Sequence, residues 1–145
     1  MATTTATISI TSDIMSYGLN ISQTMTMLKA GTNIGLEEST GLAVRKFSGT
    51  NNQIDLMTVA NESVTANGAN KLYIRNTGTS KVNYFRIGFG ASSTNTTPTE
   101  TEEIGRLYGG DWMLVPYDAA DANHDVQVWP STTAEMTLEY MLFHE

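Results

Sequence analysis

The acidic segment DAADANHD, Asp118 to Asp125, comes closest in this sequence to a metal site. Oxygen-bearing side chains follow the one-three-five spacing of a calcium-binding loop at Asp121, Asn123 and Asp125. However, Val126 stands where that loop needs a glycine, and Thr132 stands where it needs a bidentate glutamate. Two alternatives remain: an irregular calcium or magnesium site, or a solvated turn between two strands. We expect the turn, and therefore no bound metal.

Residues suited to catalysis are few. The two histidines, His124 and His144, fall in a loop and one residue from the end, so a Ser–His–Asp arrangement would rest on poorly anchored positions. The acidic pairs Glu37–Glu38 and Glu102–Glu103 are sequence neighbours, whereas a glycosidase needs two carboxylates that face each other across a cleft. No phosphate-binding loop, dinucleotide fingerprint or zinc spacing occurs. We expect no enzyme, no catalytic residues and no cofactor.

Three aromatic residues allow a binding function. Trp112, Tyr117 and Trp129 lie near the ends of predicted strands, and sugar-binding β-sandwiches stack exposed rings on pyranose faces. Most tryptophans in a domain of this size belong to the core. Carbohydrate binding therefore stays an alternative to ordinary core packing.

Composition excludes several classes of protein. The 145 residues carry a net charge of -7, which disfavours nucleic acid as a partner because phosphate backbones are bound by Lys and Arg. There are no cysteines, so stability must come from packing rather than disulfides. No stretch approaches the roughly 20 apolar residues of a membrane helix, and the first residues do not resemble a signal peptide. We expect no membrane contact and synthesis in the cytoplasm.

Short strands joined by turns are the predicted building blocks. Thr, Val, Ile and Tyr abound, alternation is the dominant period, and Gly and Asn separate the strand-like segments. The predicted strands are Ala6–Ile10, Leu19–Lys29, Leu42–Phe47, Ile54–Val59, Lys71–Arg75, Asn83–Phe89, Gly105–Tyr108, Trp112–Pro116, Asp125–Trp129 and Glu135–Phe143. A single helical turn is predicted at Ser12–Tyr17. The pattern is typical of one all-β domain, an antiparallel β-sandwich or jelly roll.

The segment NKLYIRNTGTSKVNYFRIGFG, residues 70–90, predicts a β-hairpin. Apolar residues alternate on both sides of the turn-forming Asn76, Gly78 and Ser80. Gly88 and Gly90 would weaken an ordinary strand, so we expect either a bulge or a close approach of another backbone there, with a bend at the end of the hairpin. The polar stretch that follows, Gly90–Glu100, is predicted to be a surface loop or a segment that orders against a partner.

Both ends of the chain raise the question of a partner. The threonine-rich start predicts either a frayed terminus or an arm that adds a strand to a neighbouring subunit. We therefore expect residues 1–11 to form an arm or first strand. Residues 12–145 are expected to form the sandwich domain. The last strand is apolar on both faces. Its core side is predicted to carry Met136, Leu138, Tyr140 and Leu142. Met141 and Phe143 then point to the other side, where a polar face is expected.

Three segments of the chain resemble small virion structural proteins of tailed marine and cyanobacterial bacteriophages. They are LKAGTNIGLEESTGLAVRKF (28–47), residues 70–90, and IGRLYGGDWMLVPYDAADANHDVQVWPSTTAEMTLEYMLFHE (104–145). The resemblance implies a β-sandwich or jelly roll located in the virus particle. It includes no catalytic motif, and it does not separate head from tail. The extended N-terminal arm is expected from the threonine-rich start.

Within that class we expect a capsid decoration or cement protein. The expected partner is the major capsid protein, the expected location is the capsid surface, and a homo-oligomer, with a trimer favoured, is the expected form. The candidate residues for contact with the capsid or a second subunit are Thr3, Thr4, Thr5, Ile8, Met141 and Phe143. The alternative is a tail, baseplate or fibre-associated β-sandwich protein, which could bind sugars during host attachment.

Overall fold

The computed structural model describes residues 3–14, 17–59, 67–90, 101–119 and 123–145, and these residues contain strands and no α-helix. The strands are β1 (Thr5–Ser12), β2 (Leu19–Thr26), β3 (Glu38–Ser39), β4 (Ala43–Phe47), β5 (Ile54–Met57), β6 (Lys71–Asn76), β7 (Tyr84–Gly90), β8 (Thr101–Tyr108), β9 (Trp112–Pro116), β10 (Asp125–Pro130) and β11 (Met136–His144). Each of the ten predicted strands is present, and β3 is an additional short strand. No described segment forms a helix long and apolar enough to cross a membrane.

Eight strands, β4 to β11, form a jelly roll. One sheet has the order β5-β10-β7-β8, and the other contains β11-β6-β9 with β3 and β4 both paired to β11. The antiparallel pairs are nested along the chain: β4 with β11, β5 with β10, β6 with β9, and β7 with β8. This nesting is the pattern of a long hairpin rolled into two packed sheets, so the predicted all-β sandwich is confirmed.

The core lies between the two sheets. Leu72, Ile74, Val126, Val128 and Leu138 are completely shielded from solvent, because every second residue of these strands points inward. Phe47 and Phe85 meet edge to face across the core, with ring centroids 5.2 Å apart. As predicted, Met136, Leu138, Tyr140 and Leu142 face this core from β11.

The predicted hairpin at residues 70–90 is wrong. β6 and β7 belong to different sheets, and residues 77–83 cross from one sheet to the other. The crossing is held by Asn76, whose side chain donates a 2.9 Å hydrogen bond to the carbonyl of Leu107 and accepts one of 3.0 Å from the amide of Gly78. Alternation around turn residues is typical of a crossing as well as of a hairpin, so the sequence pattern could not separate the two.

The bulge predicted near Gly88 is present. Ile87 lies opposite Gly105 while Gly88 lies opposite Glu103, so Ile104 is the extra residue of the bulge on β8. Two other predictions fall partly outside the described residues: positions 15–16 of the helical turn and positions 91–100 of the polar loop. At the start of that turn, Ser12 is the last residue of β1, and its hydroxyl accepts a 3.2 Å hydrogen bond from the amide of Ile14.

The first two strands form a separate two-stranded sheet, here called the N-terminal ribbon (Thr5–Ser12 and Leu19–Thr26). The strands pair in register from Thr5 opposite Thr26 to Ser12 opposite Leu19. The start of the chain is therefore a first strand, and its partner β2 falls within the range predicted as sandwich domain. Among the described residues, neither ribbon strand pairs with any other strand.

Candidate interaction surface

An apolar groove of about 350 Å³ lies between the base of the N-terminal ribbon and the outer face of the five-stranded sheet. Its floor is a cross-strand row in which Met141 of β11 lies opposite Tyr73 of β6, and Tyr73 lies opposite Leu114 of β9. Among the described residues, the lining consists of Thr5, Ala6, Thr7, Ile8, Met27, Leu42, Tyr73, Trp112, Leu114, Met141 and Phe143. Most of these side chains are apolar, so the groove suits an apolar segment of a binding partner.

The base of the ribbon forms one wall of the groove. The amide of Met27, the residue after β2, donates a 2.9 Å hydrogen bond to the carbonyl of Thr4, and the Met27 side chain is buried. This bond extends the pairing of the two ribbon strands to the base of the ribbon, where Met27 lines the groove. Because Ile8 is partly exposed while it lines the groove, the ribbon covers the outer face of β11 only in part.

A polar cluster lies beside the groove floor. The phenol of Tyr73 donates a 2.8 Å hydrogen bond to Glu139 Oε1, which also accepts a 3.2 Å bond from the Arg75 guanidinium. Burial and the neighbouring Glu139 carboxylate raise the pKa of Tyr73 above its ordinary value. The three side chains thus form a polar border along the apolar floor, as at many protein interfaces.

The two faces of the N-terminal ribbon differ in chemistry. Register and alternation place the apolar side chains on one face: Ala6, Ile8, Ile10, Leu19, Ile21 and Met25. The same face also carries Ser12 and Gln23. The opposite face carries hydroxyl and amide side chains: Thr5, Thr7, Ser9, Thr11, Asn20, Ser22, Thr24 and Thr26. On this polar face, the hydroxyls of Thr7 and Thr24 lie 2.9 Å apart in a hydrogen bond. The ribbon is therefore amphipathic.

Four of the six predicted contact residues meet in the groove: Thr5, Ile8, Met141 and Phe143. Thr3 is exposed and Thr4 is half-buried beside the ribbon base. The sequence interpretation did not include the other seven lining residues among the contacts: Ala6, Thr7, Met27, Leu42, Tyr73, Trp112 and Leu114. Alternation within β9 could have indicated Trp112 and Leu114, since Met113 and Val115, the residues that alternate with them, pack against the core. The cross-strand register that joins β9 to β6 was needed to place them beside Met141.

The residues considered for catalysis and metal binding lie in other surroundings. His144 is better anchored than predicted, because it is buried at the end of β11, with Nδ1 3.7 Å from the Glu38 carboxylate. Asp125 is also buried, and its carboxylate accepts a 2.7 Å hydrogen bond from the amide of Val59. Asp121 lies outside the described residues. Within the part of the chain that the structure describes, no three His, Asp or Glu side chains form a possible metal site.

The three aromatic residues considered for sugar binding differ in exposure. Trp129 is only 3% exposed, beneath the guanidinium of Arg86, and Tyr117 is equally buried. Neither offers a ring face for stacking on a pyranose. Trp112 is 48% exposed and lines the groove. If sugar binding occurs, Trp112 is the residue of the three that is placed for it.

Comparison with known proteins gives a limited result. No protein-family model matches the chain, and no curated protein matches it. Among solved structures, the mitogen YPM from Yersinia pseudotuberculosis is similar in fold, with a TM-score of 0.42 and 5% sequence identity. The alignment covers 74% of this chain and 86% of that one.

Proposed function

We propose that this protein is a structural protein of a bacteriophage particle, a decoration or cement protein that binds the outer shell and bridges neighbouring major capsid proteins. The resemblance of residues 28–47, 70–90 and 104–145 to small phage virion proteins supports the virion class. The single observation that supports binding is the apolar groove in front of Met141 and Phe143. A particle protein of this kind acts from the capsid surface after synthesis in the host cytoplasm, without a cofactor.

The groove has the properties that a contact with a shell protein needs. Its floor is built from three adjacent strands of the jelly roll, so the binding residues are held rigidly. Leu42 and Trp112 keep much of their surface in water, and burying such side chains against a partner stabilises the complex by about 25 cal/mol per Å² of apolar area. Tyr73, Glu139 and Arg75 would lie at the edge of that contact.

Stabilisation of the shell would follow from mass action. A protein that binds the assembled shell but not its dissociated subunits lowers the free energy of the assembled state by its binding free energy. Many copies bound to one particle add their contributions. No chemical step is needed.

Labelling of virus particles tests the location. Purified particles of the virus that encodes this chain are labelled with immunogold and viewed by electron microscopy. Label spread over the head is the expected result. Label confined to the tail would contradict decoration and would favour an attachment role.

A matched pair of variants tests the groove. Leu42 lines the groove and is 60% exposed. Val44, two residues further along the chain, is 61% exposed and does not line the groove. In co-sedimentation with particles, Leu42→Gln is expected to weaken binding and Val44→Gln to leave it unchanged. Phe143→Asp should abolish binding while the thermal melt still shows a folded domain. Equal binding by all three variants would exclude the groove as the contact surface.

A tail, baseplate or fibre-associated protein that binds sugars is the second candidate. It is favoured by the half-exposed ring of Trp112 beside the groove. A glycan array separates the two candidates: specific signals that disappear in Trp112→Ala would support host attachment, and an array without signals for the intact protein would exclude sugar binding.

A further inference from the structure

We propose that the protein binds an extended peptide segment of the shell protein, and that this segment joins the jelly roll as an additional strand along the free edge of β9 (Trp112–Pro116), beside the apolar groove. The inference rests on the proposed function for the identity of the partner. Strand addition itself follows from the backbone of β9 and from its place at the groove.

One side of β9 is paired, and two hydrogen bonds show which of its residues face the partner strand. Among the described strands, β9 pairs with β6 alone. The amide of Tyr117 donates a 3.0 Å bond to the carbonyl of Asn70. At the other end, the carbonyl of Asp111 accepts a 3.0 Å bond from the amide of Asn76. Positions 111 and 117 therefore belong to the set of alternate residues that bond to β6.

The other set of alternate residues faces outward. Bonds in an antiparallel ladder repeat at every second residue, so Met113 and Val115 complete the ladder with β6. The N–H and C=O groups of Trp112 and Leu114 then point away from the sheet, as does the C=O of Pro116. The side chains of Trp112 and Leu114 also line the groove. A strand laid along this edge would bond to their backbone and cover part of their apolar surface.

The edge of β9 lacks the usual protection against strand addition. Proteins commonly place charged side chains on edge strands, where they keep other strands away. Within the described part of the two sheets, the other edge strands β3, β4, β5 and β8 each carry at least one charged side chain. β9 has the sequence WMLVP and carries none. Its free donors and acceptors suit an extended peptide, because a peptide backbone supplies both groups at the matching spacing.

A second copy of β9 would be a poor partner for this edge. In a symmetric antiparallel pair centred on Leu114, Trp112 would lie opposite Pro116, which has no N–H to donate. Such a pair would also bring Asp111 of each copy towards Asp118 of the other, and like charges at these positions repel. A segment of a different protein avoids both costs.

Amide hydrogen exchange tests the pairing residue by residue. In the free protein, the amides of Trp112 and Leu114 should exchange at least about 10-fold faster than those of Met113 and Val115, after correction for intrinsic rates. The first probe is a seven-residue peptide of alternating valine and threonine with a lysine at each end. The second probe is the purified virus particle. Each should slow exchange at Trp112 and Leu114 by about 10-fold or more, whereas the same peptide with proline at its centre should not.

A pair of variants at one position separates the backbone from the side chain. Leu114→Pro removes an outward N–H and no bond to β6, so the domain should still fold. Leu114→Ala shortens the side chain and keeps the N–H. In co-sedimentation with particles, Leu114→Pro should bind about 2- to 10-fold more weakly than Leu114→Ala, as expected for one backbone hydrogen bond. Equal binding by two folded variants would contradict strand addition.

The two probes separate failure of this inference from failure of the proposed function. Particles that bind the protein while both outward amides still exchange freely would overturn strand addition and leave decoration in place. Protection by the peptide in a protein that does not bind particles would contradict decoration and retain the strand-binding edge. Slow exchange of both amides in the free protein would overturn the inference, because the edge would already be covered. Absence of protection by either probe would overturn it as well.

Discussion

The phenol of Tyr73 on β6 donates a 2.8 Å hydrogen bond to the carboxylate of Glu139 on β11. The bond joins two neighbouring strands on the outer face of the five-stranded sheet, beside the apolar groove. Because β11 is paired on both sides, this link connects the groove floor to the centre of the sheet. The state of the Tyr73 proton should therefore affect the stability of this face.

Stability should fall at alkaline pH through Tyr73. Burial and Glu139 raise the pKa of this tyrosine in the folded protein above its ordinary value of about 10. The contribution of the neutral phenol is thus fully present below about pH 10 and is lost as pH rises through the folded pKa. Urea unfolding of wild type and Tyr73→Phe at pH 8 and at higher pH should show the wild type losing its advantage. A constant difference between the two would contradict the assignment.

Asn76→Ala should be strongly destabilising. The substitution removes both side-chain hydrogen bonds at the sheet crossing and leaves the carbonyl of Leu107 and the amide of Gly78 without this partner. A loss of about 1–3 kcal/mol in the free energy of unfolding is expected. Thr79→Ala, in the exposed part of the same loop, should change it by less than about 0.5 kcal/mol. Similar losses for both variants would show that Asn76 does not hold the crossing.

Gly109→Ala should be destabilising, whereas Gly105→Ala should not. A Cβ at position 109 would lie 2.6 Å from the backbone nitrogen and oxygen of Ser80, and backbone atoms cannot move aside easily. At position 105 a Cβ would meet nothing within 4 Å. Chemical denaturation should show a loss of about 1–3 kcal/mol for the first variant and less than about 0.5 kcal/mol for the second. A neutral Gly109→Ala would mean that the two loops separate readily.

Leu138→Ala tests the core. Leu138 is fully buried at the centre of β11, so its truncation leaves a cavity between the sheets and should reduce stability by about 2–5 kcal/mol. The exposed Val44→Ala on the adjoining strand should have an effect below about 0.5 kcal/mol. If the midpoints of thermal unfolding for the two variants coincided, the inward assignment of β11 would be wrong.

Local pattern predicted the strands but not their partners. Both ends of the strand Trp112–Pro116 were predicted correctly, because its residues alternate in character and a proline ends it. By contrast, β3 consists of only Glu38 and Ser39, too short to show any alternation. The predicted hairpin at residues 70–90 was wrong because the partner of a strand depends on contacts far away in sequence. β6 pairs with β11 and β9, and the turn-forming residues around Asn76 do not indicate either partner strand.

The candidate surface was predicted in part for a similar reason. The apolar residues Met141 and Phe143 stood out because a strand with one buried face should be polar on the other. Tyr73 and Leu114 gave no such signal, since their place beside Met141 follows from the register of three strands. The amphipathic character of the ribbon likewise required the pairing of β1 with β2, because neither strand alone indicates which residues share a face with the other.

The nested strand pairs also restrict when this domain can fold on the ribosome. β3 and β4 have no partner strand before β11 is synthesised, and β6 can pair only with β9 until residues 136–144 have left the exit tunnel. Folding should therefore be late and nearly all-or-none during synthesis, with a slow rate set by its long-range contacts. The N-terminal ribbon, in contrast, pairs residues that lie close in sequence, so it is complete while the jelly roll is still being translated.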